Sequence, residues 1–381
     1  MKKQRLSIYV HIPFCMQKCR YCDFLSAPAD DSTKERYVNR LCHEIANESK
    51  ALNEYEVDTV FFGGGTPTVL SGEMLERILN EIYVNYCVSE DAEISIECNP
   101  GTADYDKLCK LKKAGFNRLS IGLQSVHDEE LAVLGRIHTY AQFEACYADA
   151  RKAGFDNINI DLMSALPGQS LTSYGACLEK VISLRPEHIS AYSLIIEEGT
   201  PFYEQYADHP ERLPDEETDR AMYECTRKRL LEAGYERYEI SNYSLPGLEC
   251  RHNLVYWRRG QYRGFGIGAA SLIGETRFSN VDDFEVYINN THIKRDMQVL
   301  TQQEQMEEFM FLGLRCTKGV CAQVFERLFG QRMEAVYGQV IEYYVNLKLM
   351  VCVQEKEETW YRLTNAGIDV SNEIFASFLL S

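Results

Sequence analysis

Three cysteines close together, Cys15, Cys19 and Cys22, are the residues of this 381-residue sequence whose spacing most plainly implies chemistry. A C-x3-C-x2-C loop can fold three thiolates around one metal centre. Zinc at a structural site normally takes four protein ligands, and no nearby Cys or His supplies a fourth at a recognisable spacing. His11 precedes the first thiol on a short apolar stretch, where it is better placed to support the loop. A 4Fe-4S cluster held by three thiolates leaves one iron without a protein ligand, open to a small molecule. Chance thiols or a single catalytic cysteine are the plainer alternatives.

Other polar groups stand where ligands are bound in parallel α/β folds. Gly63-Gly64-Gly65-Thr66-Pro67 removes side chains, so that backbone N–H and C=O groups can approach a ligand. Glu97 and Asp161 interrupt otherwise apolar runs, SIECNP and INIDLMSALPG. Buried carboxylates are costly unless partnered, so each either bonds a ligand or meets a structural cation such as Arg136. Gln124-Ser125 and Tyr192-Ser193 occupy equivalent places after two further apolar runs.

What must position these groups is a series of βα units. Strands are expected over Ser7–Ile12, Val57–Phe62, Glu93–Glu97, Arg118–Leu123, Asn157–Leu162 and His188–Leu194. Between them, apolar residues recur at three and four over Lys34–Leu52, Glu73–Tyr86, Asp104–Ala114, Tyr140–Ala153 and Ser173–Leu184, the period of helices. The fold class is therefore α/β, an incomplete (β/α)6 TIM-like barrel, and in such folds ligands sit at the carboxyl ends of the strands. The Gly- and aromatic-rich segment Ile240–Gly274 fits no further βα unit and is expected to be ordered loop and irregular strand. From Thr301 the pattern becomes three helices, a hairpin and a last helix, a winged-helix-like α+β module. The expected division is residues 1–290 and residues 301–381.

Composition excludes several classes. Hydrophobic residues at 45% and charged residues at 25% describe a globular chain. Forty Lys plus Arg against 57 Asp plus Glu leave a net charge of −17, which disfavours nucleic acid and anionic membrane surfaces. The C-terminal module itself carries seven basic and eleven acidic residues, the wrong sign for a DNA-reading wing. No run approaches the ~18 apolar residues of a membrane span. The basic start followed by a short apolar stretch runs into Cys15 rather than a cleavage site. A cytoplasmic protein whose 14 cysteines are mostly buried thiols is the expectation.

C-x3-C-x2-C on a first βα loop resembles the signature of radical S-adenosylmethionine (SAM) proteins. YVHIPFC, GGGTPT, ECNPGT, GFNRLSIGLQS and DLMSALPGQ extend the likeness to the oxygen-independent coproporphyrinogen III oxidase family. That resemblance implies a 4Fe-4S cluster on Cys15, Cys19 and Cys22, an external electron donor, and SAM bound by Tyr9, Tyr21, Gly64, Gly65, Thr66, Glu97, Gln124, Arg136 and Asp161. Tyr21 would meet the adenine, Gln124 and Asp161 the ribose, and Glu97 with Arg136 the methionine end. The family holds both oxidases, which decarboxylate two propionates of coproporphyrinogen III, and haem chaperones of the HemW type. Oxidases continue to a fourth cysteine, C-x3-C-x2-C-x-C, whereas Phe24 stands at that position here, as in the chaperone branch. His252, Asn253, Tyr256 and Trp257 fit the chaperones' H-N-x-x-Y-W pattern and become candidate haem contacts, although one His beside two aromatics is also how a packed loop reads. The expected function is haem binding and delivery to a haem-dependent acceptor protein, with oxidase activity as the alternative and SAM turnover open. Ser164-Ala165 depart from the Tyr-Gly that relatives often carry, which puts contacts near Asp161 in question.

Overall fold

The computed structural model describes residues 3–380. Strands β1 (Gln4–Ile12), β2 (Tyr55–Gly64), β3 (Val88–Cys98), β4 (Arg118–Gln124), β5 (Ile158–Ser164) and β6 (His188–Ser193) lie side by side in chain order, all parallel. Helices α1 (Asp31–Glu48), α2 (Gly72–Asn85), α3 (Tyr105–Ala114), α4 (Asp128–Val133), α5 (Tyr140–Lys152) and α6 (Leu171–Leu184) connect them. Each long helix begins on a side-chain cap: Asp30, Ser71, Asp104, Thr139 and Ser170 each accept from an amide of the first turn. After α3 and α5 the chain turns at Gly115 and Gly154, both left-handed (φ 117° and 93°).

Alternation within the strands sorts the two faces of the sheet. Ile8, Val10, Val60, Phe62, Ile94, Ile96, Leu119, Ile121, Ile158 and Ile160 are buried in one apolar cluster with Leu41, Leu79 and Leu111 of the helices. The opposite face carries Ser7, Thr59, Glu93, Arg118, Asn159 and His188, all buried and all polar. An interior of that composition needs partners, and the chain beyond β6 supplies some of them.

Helices α7 (Pro201–Tyr206) and α8 (Glu216–Glu232) are followed by β7 (Glu236–Arg237), β8 (Asn242–Ser244), α9 (Arg251–Trp257), β9 (Tyr262–Phe265), β10 (Ala270–Ile273), β11 (Thr276–Asn280), α10 (Phe284–Asn289) and β12 (Lys294–Val299). β8 and β7 extend the sheet beyond β6, and β9 through β12 extend it beyond β1. The resulting 12-stranded sheet has edges β12 and β7, which do not pair, so the barrel is not closed. Glu44 of α1 ties the added strands down. It accepts from Arg263 Nη2 (2.7 Å), Gly266 N (3.1 Å), Asn280 Nδ2 (2.9 Å) and Tyr287 OH (2.7 Å). The expectation of loop and irregular strand over Ile240–Gly274 is corrected here: the segment holds α9 and three short strands. Their partners, Glu93 and β1, lie far away in sequence, which is why local pattern does not disclose them.

The last part has α11 (Gln302–Gly313), β13 (Val320–Cys321), α12 (Ala322–Phe329), α13 (Met333–Asn346), β14 (Met350–Glu355), β15 (Glu358–Leu363), α14 (Asn365–Asp369) and α15 (Ser371–Ala376). Its strands form an antiparallel sheet in the order β13-β15-β14. Met310, Phe325, Tyr337, Ile374 and Phe378 centre a separate apolar cluster.

Candidate functional site

At the carboxyl ends of β1 to β6 lies a cavity of about 400 Å³. Cys15, Cys19 and Cys22 border it from the loop after β1, facing Gly64, Gly65 and Thr66 after β2, Glu97, Gln124, Asp161 and Tyr192 on the later strands, and Arg136 beyond α4. Of the residues singled out for SAM, only Tyr9 is not on the wall. It stands behind it, stacked on Phe61 and bonded to His11 Nδ1 (3.1 Å).

The glycine loop is shaped by its neighbours. Gly64 has φ 114°, and a Cβ there would lie 2.6 Å from the His11 ring. A Cβ on Gly65 would meet Phe14 O at 2.6 Å and Cys15 Sγ at 3.0 Å. Gly65 N donates to Ile12 O (2.9 Å) and Thr66 N to Phe14 O (2.7 Å), clipping the glycine loop to the thiol loop. His11 Nε2 bonds Leu25 O (2.9 Å) on the far side of that loop, the supporting place expected from sequence.

Two thiols are held by one polar chain. Thr66 Oγ1 points at Cys15 Sγ (3.7 Å) and accepts from Asn99 Nδ2 (2.7 Å). Arg136 Nη2 donates to Asn99 Oδ1 and Gly122 O (both 2.6 Å), while its Nη1 points at Cys19 Sγ (3.7 Å). Asn99 is thus a positioning residue; its signal in the sequence is the C-N-P-G turn directly after β3. All three cysteines are free thiols. Burial pushes the Cys22 thiol up, with an amide at Phe24 acting against it. Among the described residues no three His, Cys, Asp or Glu side chains converge on a single ion. The three thiol side chains line one cavity from a single short loop, and a three-thiolate donor set of that kind fits a 4Fe-4S cluster.

Among the described residues, Glu97 and Asp161 have no salt-bridge partner. Burial, reinforced by the Asp161 charge, lifts Glu97 to about 8, against which the Gly64 amide acts. Asp161 is also raised by burial, offset by bonds from Asn159 Nδ2 (2.7 Å) and Ser120 Oγ (3.3 Å). Arg136, the structural cation that sequence suggested for them, is instead engaged with Asn99 and Gly122. Gln124 sits at φ 69° where the β4–β5 register shifts, a left-handed conformation unusual for a residue with a side chain. Ala165 holds φ 57°, the conformation that the relatives' glycine takes freely.

His252 is elsewhere. It is 1% exposed, with Nδ1 bonded to Thr59 Oγ1 (2.8 Å) and Nε2 to Tyr256 OH (2.9 Å). Burial and the Arg118 charge depress it to about 3. Both ring nitrogens are engaged by these hydroxyls, so ligation of an iron by His252 would require one of the two bonds to open. Tyr256 packs edge-on against Tyr262, Trp257 lies under the Arg315 guanidinium (4.4 Å), and Asn253 shares their helix. His252 is buried, whereas Asn253, Tyr256 and Trp257 are half-buried.

Residues 9–181 match the radical SAM superfamily, and residues 300–370 match the HemN C-terminal domain. The heme chaperone HemW of Bacillus subtilis is 38% identical over 98% of this chain and 99% of its own length. That of Escherichia coli is 41% identical over 71% of this chain and 70% of its own. The structure of Escherichia coli coproporphyrinogen III oxidase superposes with a TM-score of 0.85 over 99% of this chain and 90% of that one, at 24% identity, and shares the fold. The chain belongs to the HemW heme chaperone family of radical SAM proteins.

Proposed function

We propose that this protein is a haem chaperone that carries a 4Fe-4S cluster on Cys15, Cys19 and Cys22, binds SAM in the adjoining cavity, and hands haem to an acceptor haemoprotein. The observation that carries the reading is near-full-length kinship with chaperones at 38% identity. Phe24 in place of the oxidases' fourth cysteine agrees with it. Bound there, a 4Fe-4S cluster supplies an iron with no protein ligand and a one-electron reductant, itself charged by an external donor. Arg136 and Thr66 direct hydrogen bonds at Cys19 and Cys15 and so stabilise thiolate charge. Gly64 and Gly65 present backbone to the methionine end, and Glu97 exchanges its proton for a ligand ammonium. Gln124 and Asp161 accept from ribose hydroxyls, Tyr21 stacks on the adenine, and Tyr9 supports the floor.

In this reading an incomplete (β/α)6 barrel with its sheet extension runs to β12 at Val299 rather than to the expected 290, and the chain from Thr301 is a winged-helix-like module that docks a partner rather than nucleic acid. No described helix is long and apolar enough to cross a membrane, and we place the protein in the cytoplasm. The test is transfer. Anaerobically reconstituted protein loaded with haem is expected to pass it to an apo-haemoprotein, and to make no protoporphyrinogen from coproporphyrinogen III, SAM and a reductant. Product without transfer would reverse the assignment in favour of the oxidase.

A further inference from the structure

Two further thiols meet outside the cysteine loop. Cys98 ends β3 and Cys146 lies on α5, and their sulfurs stand 3.9 Å apart. Both are buried free thiols. Buried cysteines ordinarily serve as small apolar side chains, so contact alone does not mark a reactive pair. The surroundings of Cys98 set this pair apart.

Cys98 Sγ points at Asn99 O (3.7 Å), and the hydroxyls of Thr68 and Thr102, bonded to one another (2.6 Å), stand beside it. Lys107 Nζ donates to Thr68 O (2.6 Å) and Thr102 O (2.9 Å), which brings an ammonium to the same place. The hydrogen bond with Cys146, joined by these hydroxyls and the Lys107 charge, holds the Cys98 thiol down against burial. A thiol in such company is a nucleophile rather than inert packing. Cys98 also borders the cavity of about 400 Å³, through which a small reagent reaches it, whereas Cys146 is not on that wall. Joining the two sulfurs at about 2.05 Å requires each to move ~1 Å, within the reach of side-chain rotation.

We propose that Cys98 and Cys146 are a redox-active dithiol, which a hydroperoxide entering the cavity converts to a disulfide. With hydrogen peroxide, the Cys98 sulfur attacks the O–O bond and becomes a sulfenic acid, and the leaving hydroxide departs as water with the thiol proton. The Cys146 sulfur then displaces the sulfenic oxygen, which leaves as a second water with the Cys146 proton. Two thiols and one peroxide thus give one disulfide and two waters, two electrons having passed from sulfur to oxygen.

The consequence reaches the thiol loop. Asn99, next in the chain after Cys98, bonds Thr66 and Arg136, which point at Cys15 and Cys19. Drawing Cys98 toward Cys146 pulls Asn99 away from both, so oxidation loosens the hold of the loop on its cluster. That second step rests on the cluster reading above, and the disulfide does not.

The test treats the reconstituted full-length protein with stoichiometric hydrogen peroxide, alkylates it, and cuts it after Glu, Lys and Arg. Cleavage after Glu97 separates Cys98 from Cys87. The expected product is a Cys98 peptide joined to a Cys146 peptide and released by dithiothreitol. Recovery of both thiols alkylated, or of Cys98 as sulfinic acid beside alkylated Cys146, overturns the proposal. Peroxide also attacks a cluster directly, so Cys146→Ala, treated alike, supplies the baseline, with Cys146→Ser in its place if the alanine variant does not fold. Oxidised wild type is expected to yield its iron to a chelator about tenfold faster than the variant. Equal rates beside a formed disulfide overturn the coupling to the thiol loop. Wild-type protein that forms the linked peptide but takes up no iron or sulfide would bring down the cluster reading and leave the disulfide standing.

Discussion

The two ends of the barrel interior share one sequence pattern and differ in what completes it. At the amino ends of the strands, Glu93 accepts from the amides of Arg251 (3.0 Å) and His252 (3.1 Å), so the first turn of α9 sits on a buried carboxylate. His188 bonds Asn159 Oδ1 (2.6 Å) and Tyr238 OH (2.8 Å), and Thr59 bonds Ser7 and His252. These groups have protein partners, while the buried Arg118 guanidinium beside them leaves its Nε without one. At the carboxyl ends, Glu97 and Asp161 face a cavity and are both pushed up by burial. Polar residues inside a barrel are therefore not by themselves a site. The distinguishing mark is a carboxyl raised by burial that faces a cavity.

The largest test of this contrast is Glu93→Ala. It orphans the buried His252 amide and the part-buried Arg251 amide and removes a buried carboxyl that interacts with Arg118, which is buried with its Nε already unpartnered. A loss of about 3–5 kcal/mol is expected, read as a lowered denaturation midpoint. A loss below ~1 kcal/mol would mean that the closed end is not the structural end. Next comes His252→Ala, which leaves the Thr59 and Tyr256 hydroxyls without their shared partner and opens a small cavity. About 2–3 kcal/mol of stability should go while haem retention stays. Retention falling in step with haem ligation signals, at unchanged stability, would return His252 to the iron.

Much of the open end is legible in sequence because it is built from short-range signals. C-x3-C-x2-C, a triple glycine and lone carboxylates ending apolar strands each declare themselves within a few residues, and strand alternation places them on one rim. The closed end is not legible. His252, Tyr256 and Trp257 read equally as a ligand set and as packing, and what decides is Glu93, remote in sequence, together with Thr59 beneath the imidazole. The same limit hides the edge strands β9 to β12, whose register is set by Glu44 and β1 rather than by their own composition. Tyr9 lies on a readable strand, and its place beside Glu97 and behind the cavity wall depends on how Phe61 and His11 pack around it.

The smallest effect has the opposite sign and sharpens the contrast most. Glu97 titrates near 8 in the folded chain against an ordinary 4.5, so between those values the folded protein holds a proton that the unfolded chain has released. Folding is therefore progressively disfavoured as pH rises from about 5 to 8, and the loss levels off above 8. Glu97→Gln cannot titrate and should lack that slope. Its denaturation midpoint should match wild type near pH 5 and exceed it near pH 8, by about 1–2 kcal/mol once water in the cavity is allowed for. Asp161 is raised in the same direction and its charge is one cause of the Glu97 shift, so the difference between the two proteins reads the coupled pair. Saturating SAM should flatten the wild-type slope, since an ammonium beside Glu97 favours its ionised form. Parallel pH curves for the two proteins would place Glu97 among groups already satisfied by the chain, and the open end would then differ from the closed one only in being empty of a helix.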